Sequence, residues 1–404
     1  MVIGIIGAGA SGMAAAIAAS ENPNAEILLF ERQARVGRKL QATGNGRCNL
    51  SNIHALSGGY HGEDPSFARA ALRAFDPEST LAWFRTMGLY TITEATGRVY
   101  PYSDQANSVV DVLRFALNKP NIRLYTGSEI RKIQRDGAGF RIIGDQETFG
   151  CDKLIIACGG LAGSKLGGSM LGYQLLAKLG HRSSRLRPAL VQIKTSWSGV
   201  QALKGVRTNC CATIYKEDAK FSCSEGELQF TECGLSGPVI FEISRDVCHE
   251  KGQWTCKLDF LPHVSEQELY EDLCSRRERN IPTEEFLTGM LHNRLGRILT
   301  KAAGIQSGRS TGDLTNEELC ETCRKIKAFT VALSEPLGMD SAQVTAGGVF
   351  TNGFISETME SRLVPGLYAC GEVLDIDGDC GGYNLQWAWS SGRCAGLHAG
   401  EVMK

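Results

Sequence analysis

The sequence lacks an excess of charge of either sign. Lys and Arg together number 43 and Asp and Glu number 44, so the net charge at pH 7 is −1 when histidine is neutral. Such a balance gives no overall basic field that would hold a polynucleotide or an anionic membrane surface. We therefore expect no nucleic-acid partner and no membrane partner.

Long apolar runs and a secretion signal are missing as well. No apolar stretch reaches the length of a transmembrane helix, and the first ten residues, M-V-I-G-I-I-G-A-G-A, contain no basic region. The 15 cysteines are scattered and odd in number, which argues against a disulfide framework when no secretion signal is present. These features predict a cytoplasmic protein in a reducing compartment.

Glycine, in contrast, is abundant. The 47 glycines gather in a few loops and form no short repeat, which is typical of nucleotide-binding loops rather than low-complexity sequence. A chain of 404 residues also exceeds what one hydrophobic core usually holds, so we expect two or three domains.

The first glycine cluster lies between the parts of a dinucleotide-binding fold. The apolar strand V-I-G-I-I precedes G-A-G-A-S-G, an Ala-rich helical stretch follows, and a second apolar strand ends at Glu31. In such folds the first glycine permits a tight turn, the second lets backbone approach a pyrophosphate, and the third lets helix pack on strand. An acid about 20 residues further on binds a ribose, which is the role predicted for Glu31.

Three cations come soon after this acid. They are Arg32, Arg38 and Lys39. One interpretation is that they face a phosphate or the flavin side of a dinucleotide, and the other is that they form a solvated basic turn. The glycine motif by itself does not distinguish FAD from NAD.

A second glycine-containing stretch, A-T-G-N-G-R-C-N-L-S-N at 42–52, allows two interpretations. Cys48 follows Arg47 directly, and a thiol beside a guanidinium can be a nucleophile of low pKa. The glycines at 44 and 46 can instead let the backbone approach a bound ligand.

Motifs along the whole chain resemble one family. They are G-A-G-A-S-G, E-R-Q-A-R-V-G-R-K-L, T-G-N-G-R-C-N-L-S-N, G-R-V-Y-P-Y-S, I-I-A-C-G-G, R-P-A-L-V, G-E-L-Q-F-T-E-C-G-L-S-G-P, V-T-A-G-G-V and G-E-V-L-D-I-D-G-D-C-G-G-Y-N-L-Q-W-A-W-S-S-G. This set is similar to the BaiN/RdsA-type (YhiN-like) FAD-dependent oxidoreductases.

The resemblance implies an FAD molecule lying extended across the Rossmann-like domain, with the last helix directed at the flavin pyrimidine ring. A helix N-terminus there suits the negative charge that reduced flavin gathers. Together with the glycine motif, it implies cofactor contacts at Gly7, Gly9, Ala10, Ser11, Gly12, Glu31, Arg32, Arg38, Lys39, Thr43, Gly44, Asn45, Gly46, Arg47, Asn49, Ile130, Ala157, Cys158, Gly159, Gly371, Glu372, Asn384, Leu385 and Gln386.

The resemblance favours the second interpretation of the stretch at 42–52, in which Cys48 is a neighbour of the flavin rather than a nucleophile. No catalytic acid or base is assigned, and Arg47, Tyr100 and Ser103 are candidates for the substrate pocket. Cys158, Tyr100 and Glu232 stand where members of the family often carry Thr, Phe and His.

The implied chemistry is redox chemistry on a small molecule. Because no second G-x-G-x-x-G is present, NAD(P)H is expected as a transient co-substrate that reduces the flavin without a domain of its own. Family members imply two activities, reduction of unsaturated 3-oxo steroid bile acids and oxidation of an aminoketone by oxygen, and we favour the reductase. A nucleic-acid-modifying flavoprotein and a non-enzymatic flavin sensor are the alternatives from other classes.

The fold expected is α/β. Residues 1–190 and 343–404 form a split Rossmann-like FAD-binding domain. Alternation of apolar and polar residues predicts an inserted β-barrel-like module over 191–262 and 328–342. Residues 263–327 read as a small helical module whose helices begin with capping-box patterns.

No metal site is expected. Cys320 and Cys323 have no second cysteine pair at zinc spacing, and the loop D-I-D-G-D has its glycine at the wrong position for a calcium site.

Overall fold

The computed structural model describes residues 1–145 and 147–401, so the last three positions of the domain expected over 343–404 lie outside the described residues. The chain divides into two compact units. The first consists of Met1–Pro188 and Met339–Lys404, and the second of Ala189–Gly338.

The α-helices of the described residues are, in chain order, α1 (Ala10–Ala19), α2 (Arg38–Ala42), α3 (Ala68–Ala74), α4 (Pro77–Thr86), α5 (Ala106–Ala116), α6 (Leu171–Lys178), α7 (Pro238–His249), α8 (Glu266–Arg277), α9 (Asn293–Ala302), α10 (Asn316–Lys327) and α11 (Tyr383–Gly400).

The strands of the same residues are β1 (Val2–Ile6), β2 (Glu26–Glu31), β3 (Ser51–Asn52), β4 (Tyr60–His61), β5 (Thr91–Thr93), β6 (Arg98–Pro101), β7 (Ile122–Thr126), β8 (Ile130–Asp136), β9 (Gly139–Gly144), β10 (Thr148–Cys151), β11 (Lys153–Ile156), β12 (Arg187–Ala189), β13 (Ile193–Thr195), β14 (Arg207–Lys216), β15 (Ala219–Phe230), β16 (Gly234–Ser236), β17 (Trp254–Asp259), β18 (Phe329–Pro336), β19 (Val344–Ala346), β20 (Leu367–Ala369) and β21 (Asp377–Gly378).

A five-stranded parallel sheet forms the centre of the first unit, in the order β20-β11-β1-β2-β7. Its central strands are almost entirely buried, as expected for apolar runs covered on both faces. Strand β1 has β2 as its neighbour on one side and β11 as its neighbour on the other, so the strand order reverses at β1. In parallel sheets of this kind, a ligand crevice opens beyond the carboxyl ends of the strands where the order reverses. The predicted α/β class with a Rossmann-like parallel sheet is confirmed.

Helices α1 and α11 of this unit pack through their backbones. Three glycines of α11, spaced four residues apart, lie against three small residues of α1 with the same spacing, so the two helices run in the same direction. A Cβ built on each glycine would lie close to a carbonyl oxygen of α1: Gly392 at 2.3 Å from Ser11 O, Gly396 at 2.2 Å from Ala15 O and Gly400 at 3.2 Å from Ala19 O.

The second unit combines a closed antiparallel barrel with helices. The barrel has the strand order β13-β16-β15-β14-β17-β18. Buried side chains of the barrel and of α7 to α10 belong to one hydrophobic cluster, so both parts share a core. The capping boxes predicted for two helices are present, with Ser265 and Glu268 at the start of α8 and Thr315 and Glu318 at the start of α10.

Among the residues that the structure describes, no helix combines the length and the apolar character that crossing a bilayer requires.

The contact between α1 and α11 leads to a first prediction. Gly396→Ala should lower the free energy of unfolding by about 1–3 kcal/mol, because the added methyl group would overlap Ala15 O. Helix propensity alone would favour the alanine by about 1 kcal/mol, so a net loss isolates the steric contact. Urea denaturation measures the change.

Gly150→Ala is the matched control, because a Cβ at Gly150 meets nothing within 4 Å and the residue has no positive φ. Equal stability of the two variants would contradict the assigned contact.

Candidate functional site: a dinucleotide cradle

The three glycines of the first motif meet three different steric demands. Gly7 has a φ of +105°, and a Cβ there would lie 2.4 Å from Ala157 O. A Cβ on Gly12 would lie 1.8 Å from Gly7 O, so helix and strand approach too closely for any side chain. A Cβ on Gly9, in contrast, meets nothing within 4 Å. The fold therefore requires glycine at 7 and 12, whereas the space beside Gly9 is open to a ligand.

The start of α1 faces this open space. Gly9 is the N-cap of α1 and has no side chain that could cap the helix. The helix begins with Ala10 and Ser11, and its first N–H groups carry the positive end of the helix dipole. An open, uncapped helix N-terminus beside a glycine is a site for a phosphate group.

Glu31 lies at the end of β2 next to the glycine loop. Its Oε2 accepts a hydrogen bond from Ala8 N at 3.0 Å, and its Oε1 accepts one from Gln33 N at 2.8 Å. These two bonds fix the carboxylate and leave each oxygen a further lone pair for a ribose hydroxyl.

The three cations after Glu31 separate in the structure. Arg32 donates to the carbonyl oxygens of Gly167 at 2.8 Å and Gly168 at 3.3 Å. Arg38 donates to Gln33 Oε1 at 2.8 Å, beside Glu31. Lys39 forms an ion pair with Glu372 at 2.8 Å.

A hydrogen-bond network surrounds this Lys39–Glu372 pair. Glu372 Oε1 also accepts a bond from Thr345 N at 2.8 Å, and Thr345 Oγ1 accepts bonds from the amides of Leu161 and Ala162, both at 2.9 Å. A Cβ on Gly160 would lie 2.4 Å from Glu372 Oε1. The pair, predicted as two separate cofactor contacts, thus belongs to a network that joins four segments of the chain.

The turn after β11 lies beside the glycine loop. Ala157 N donates to Ile6 O at 2.9 Å, and Cys158 Sγ lies 3.5 Å from the same oxygen. Burial raises the pKa of the Cys158 thiol to about 12, so it is a neutral packing group. Gly159 has a φ of +69° and open space where a Cβ would be. Ile130 is buried at the start of β8, close to the turn whose Ser128 N donates to Glu31 O.

The start of α11 is the second uncapped helix N-terminus. Its N-cap is Gly382, with a φ of +102°. Asn384 does not extend outward, because its amide donates to Gly378 O at 2.7 Å and accepts from Gly378 N at 2.8 Å. Gln386 is fully buried and bonds to Ser51, Phe75, Thr80 and Ser390. Of the three side chains predicted here as cofactor contacts, the half-buried Leu385 is left to meet a cofactor, together with the backbone of this first turn.

Gly371 connects the two helices. It has a φ of +76°, and a Cβ there would lie 2.5 Å from Ser11 Oγ. Its N–H donates to Ser391 Oγ at 3.0 Å, and its carbonyl accepts from Trp387 Nε1 at 3.2 Å. Gly371 therefore fixes the start of α1 against the middle of α11.

The loop at 43–49 has a strained backbone. Gly44 and Gly46 have φ values of +57° and +87°, and the non-glycine residues Asn45 and Cys48 have 56° and 61°. Thr43 Oγ1 donates to Leu40 O at 2.7 Å and holds the entry to the loop. Left-handed non-glycine residues of this kind concentrate at ligand sites.

Cys48 is buried beneath this loop, with no exposed surface. Burial raises the pKa of its thiol to about 12, so the thiolate required of a nucleophile is almost absent at neutral pH. Arg47 points elsewhere and forms ion pairs with Glu94 and Asp104.

Asn49 links this loop to the start of α11, a contact that sequence reasoning missed. In the amide orientation that satisfies both of its polar atoms, it accepts a bond from Gly382 N at 3.3 Å and donates to Ser51 O at 3.1 Å. The two residues lie more than 300 positions apart, so no local pattern could reveal the link. Thr345 and Gly160 were missed as well, because no local pattern links either residue to Glu372.

Two of the three pocket candidates come together. The Arg47 guanidinium lies 4.0 Å from the centre of the Tyr100 ring. Ser103 Oγ donates instead to Ser108 Oγ at 2.7 Å, and this bond occupies the Ser103 hydroxyl hydrogen. Glu232 is exposed and paired with Lys204, which lowers the pKa of its carboxyl, so it remains ionised in the second unit.

These residues fit a bound dinucleotide. The open space at Gly9, the uncapped start of α1 and the fixed Glu31 carboxylate supply the phosphate and ribose contacts of that ligand class. The uncapped start of α11 supplies a second positive helix end.

A Cβ at Gly9 has open space, whereas one at Gly7 or Gly12 does not, so a substitution at Gly9 should affect ligand binding without affecting stability. Gly9→Ala should weaken FAD binding by at least about tenfold, because the methyl group would enter the space of a pyrophosphate. The apoprotein should keep its thermal midpoint, because that Cβ meets no protein atom. Flavin fluorescence and apoprotein melting measure the two effects. Undiminished FAD affinity would contradict the cradle, and Gly12→Ala, which should destabilise the apoprotein itself, is the comparison variant.

Cys48 gives a chemical prediction. At pH 8 iodoacetamide should modify Cys48 roughly a thousandfold more slowly than the exposed Cys320, because the Cys48 thiol is buried and its pKa is about 12. Peptide mass spectrometry of quenched samples measures both rates, and labelling in urea, where burial is lost, is the control. Similar rates in the folded protein would restore the reactive thiol.

Comparisons with known proteins agree with this geometry. The HI0933-like protein Rossmann domain family matches residues 1–398. The chain is 38% identical to the 3-dehydro-bile acid delta(4,6)-reductase of Clostridium scindens, over 99% of each chain. It is 32% identical to the ribosomal RNA dihydrouridine synthase of Escherichia coli, over 96% of this chain and 95% of that protein.

Among solved structures, the open conformation of a flavocytochrome c3 fumarate reductase is similar at a TM-score of 0.48 and 16% identity, over 98% of this chain and 78% of that one. The family match and the two curated relatives confirm the resemblance carried by the motifs. The chain belongs to the HI0933-like Rossmann family, the family of FAD-dependent oxidoreductases that its motifs resemble.

Proposed function

We propose that the protein is a flavin-dependent reductase of a carbon–carbon double bond conjugated with a carbonyl group, with NAD(P)H as the reductant. The observation that carries the proposal is the open cradle at Gly9, between a fixed Glu31 and two uncapped helix N-termini. FAD is the cofactor proposed for that cradle, and its reduced flavin would supply the hydride.

The names of the two curated relatives support the choice of acceptor. One is a 3-dehydro-bile acid delta(4,6)-reductase and the other a ribosomal RNA dihydrouridine synthase. Both names denote the addition of two hydrogens to a double bond conjugated with a carbonyl. The common element is therefore an activated double bond rather than one substrate, and a steroid of the 3-oxo-Δ4 type is our first candidate because the reductase is the more similar relative.

The residues of this chain would hold and orient the cofactor. Glu31, which Ala8 N holds in place, would accept hydrogen bonds from a ribose, and the N–H groups after Gly9 would face the diphosphate. The N–H groups at the start of α11 would stabilise negative charge on a reduced flavin ring. Lys39 neutralises Glu372, so the segment around Gly160 can pack against that carboxylate.

A uridine in RNA is the second candidate acceptor. The segment 178–187 contains Lys178, Arg182, Arg185 and Arg187 and no acid. Within the described part of the chain none of these four forms an ion pair, and all except the half-buried Arg187 are exposed. Unpaired cations of this kind suit a phosphate backbone. The neutral overall charge, from which we expected no nucleic-acid partner, does not exclude such a local surface.

An anaerobic experiment tests the proposal. Titration of the FAD-loaded protein with NADH and NADPH should bleach the flavin absorbance with at least one of them. Addition of a 3-oxo-Δ4 steroid should then restore the absorbance and yield the saturated ketone, detected by mass spectrometry. The same steroid without the double bond is the control acceptor.

Each alternative gives a different result. Reoxidation by a uridine-containing ribosomal RNA fragment, but not by the steroid, would select the second acceptor. Bleaching by an aminoketone and not by either nicotinamide would replace the reductase with an oxidase.

A cytoplasmic location also remains a prediction, and it fits the 15 free thiols.

A further inference from the structure

Tyr100 lies on a small sheet of the first unit, formed by β3, β6 and β5. Ile92 of β5 is directly opposite Tyr100, so the two side chains share one face of the sheet. Tyr102 is two residues further along, in the turn that follows β6. Tyr102 is 71% exposed, whereas Tyr100 is only 6% exposed. The end of β6 and the turn after it therefore offer a buried and an exposed tyrosine for comparison.

The Tyr100 ring is fixed from above by Arg47. The guanidinium lies 4.0 Å from the ring centre, and its ion pairs with Glu94 and Asp104 hold it there. Arg47, itself held by Glu94 and Asp104, therefore leaves the Tyr100 ring little freedom to rotate out of its position.

The Tyr100 hydroxyl, however, forms no hydrogen bond within residues 1–145 and 147–401, and its oxygen keeps contact with solvent although the ring is buried. A hydroxyl group in that position is open to a ligand that replaces the solvent. Burial is the largest cause that raises the pKa of this phenol. Glu94 adds to the effect, and Arg98 and Arg47 oppose it. The hydroxyl therefore stays protonated at neutral pH and is available as a donor.

Tyr100 also lies between the two segments assigned to the flavin end of the cradle. A Cβ on Gly44 would come 3.5 Å from Tyr100 Cε1, so the ring touches the loop at 43–49. On the other side, a Cβ on Gly381 would lie 2.9 Å from Arg98 Nε, two residues along β6 from Tyr100. Gly381 directly precedes the N-cap of α11.

We propose that the Tyr100 hydroxyl donates a hydrogen bond to the carbonyl oxygen of the acceptor, with Arg47 stabilising the charge that develops there. This inference rests on the proposed function and deepens it. A bound reduced flavin would supply a hydride to the β-carbon of the acceptor. The electron pair of the double bond then moves toward the carbonyl oxygen, where Tyr100 donates its hydrogen bond, and a proton from water adds to the α-carbon. One hydride, which carries the two electrons, and one proton thus convert the conjugated ketone into the saturated ketone.

The other hydroxyl group among the pocket candidates does not fit this role. Ser103 Oγ donates its hydrogen to Ser108 Oγ at 2.7 Å, so it has none left for a carbonyl. Tyr102 is too exposed to act in a site that excludes water. Within the described residues, Tyr100 alone of these three combines a buried ring with a hydroxyl group that forms no hydrogen bond to the protein.

Tyr100→Phe tests the inference, because it removes the hydroxyl group and keeps the ring under Arg47. The variant should bind FAD normally and be reduced by NAD(P)H at the wild-type rate. Its kcat for the 3-oxo-Δ4 steroid should fall by about 10²–10³, the usual loss when one donor to a developing oxyanion is removed. Binding of the saturated 3-oxo steroid to the oxidised protein, measured by calorimetry, should weaken roughly two- to tenfold.

Tyr102→Phe is the matched control, because it removes an exposed hydroxyl group two residues away, in the turn after β6, and should change neither quantity. If Tyr100→Phe retains the wild-type kcat and ketone affinity while the wild type reduces the steroid, the role of Tyr100 is refuted and the proposed function stands. If the wild-type flavin is reoxidised by neither the steroid nor the RNA fragment, the proposed function itself fails, and the role of Tyr100 fails with it.

Discussion

The structure of the first unit depends on the backbone contact between α1 and α11. Three glycines of α11 meet three carbonyl groups of α1, and no side chain separates the helices. The contact fixes the helices along their length, so Ser11 lies level with Gly392. Helix α1 begins at Ala10, whereas α11 begins at Tyr383, about two turns before that level. At 1.5 Å per residue, the start of α11 therefore projects about 12 Å beyond the start of α1.

This offset determines what the site can hold. Both helix N-termini are uncapped and carry positive ends of helix dipoles, and they lie on the same side of the unit at different depths. An extended dinucleotide presents its diphosphate and its flavin ring at separate points along its length, so two staggered positive ends suit it better than one. The ribose carboxylate, Glu31, is fixed at the other side of the glycine loop by Ala8 N.

Much of the cradle could be predicted from the sequence because its residues lie close together in the chain. Gly7, Gly9, Gly12 and Glu31 belong to one strand–helix–strand unit, and spacing alone indicates their roles. The contacts of Lys39 with Glu372, and of Asn49 with Gly382, join positions more than 300 residues apart and leave no periodic signal. The direction in which a side chain points could not be predicted from the sequence either. Gln386 opens a helix beside the cradle, yet its side chain turns inward to bond Ser51, Phe75 and Thr80. A motif identifies such a residue without showing whether its backbone or its side chain is used.

The division between backbone and side chains also explains how related proteins act on different acceptors. The cradle uses mostly glycines and N–H groups, which tolerate little change, since Gly7 and Gly12 each face a carbonyl oxygen within 2.4 Å of any added Cβ. The acceptor side that we propose would use a few side chains of one small sheet and the adjoining loop, such as Arg47 and Tyr100. A steroid ketone and a uridine share a conjugated carbonyl, so the same hydride donor would serve both, and the side chains around the carbonyl would select between them. Under the proposed function, the choice of substrate in this chain would therefore depend on side chains near β6 rather than on the glycines of the cradle.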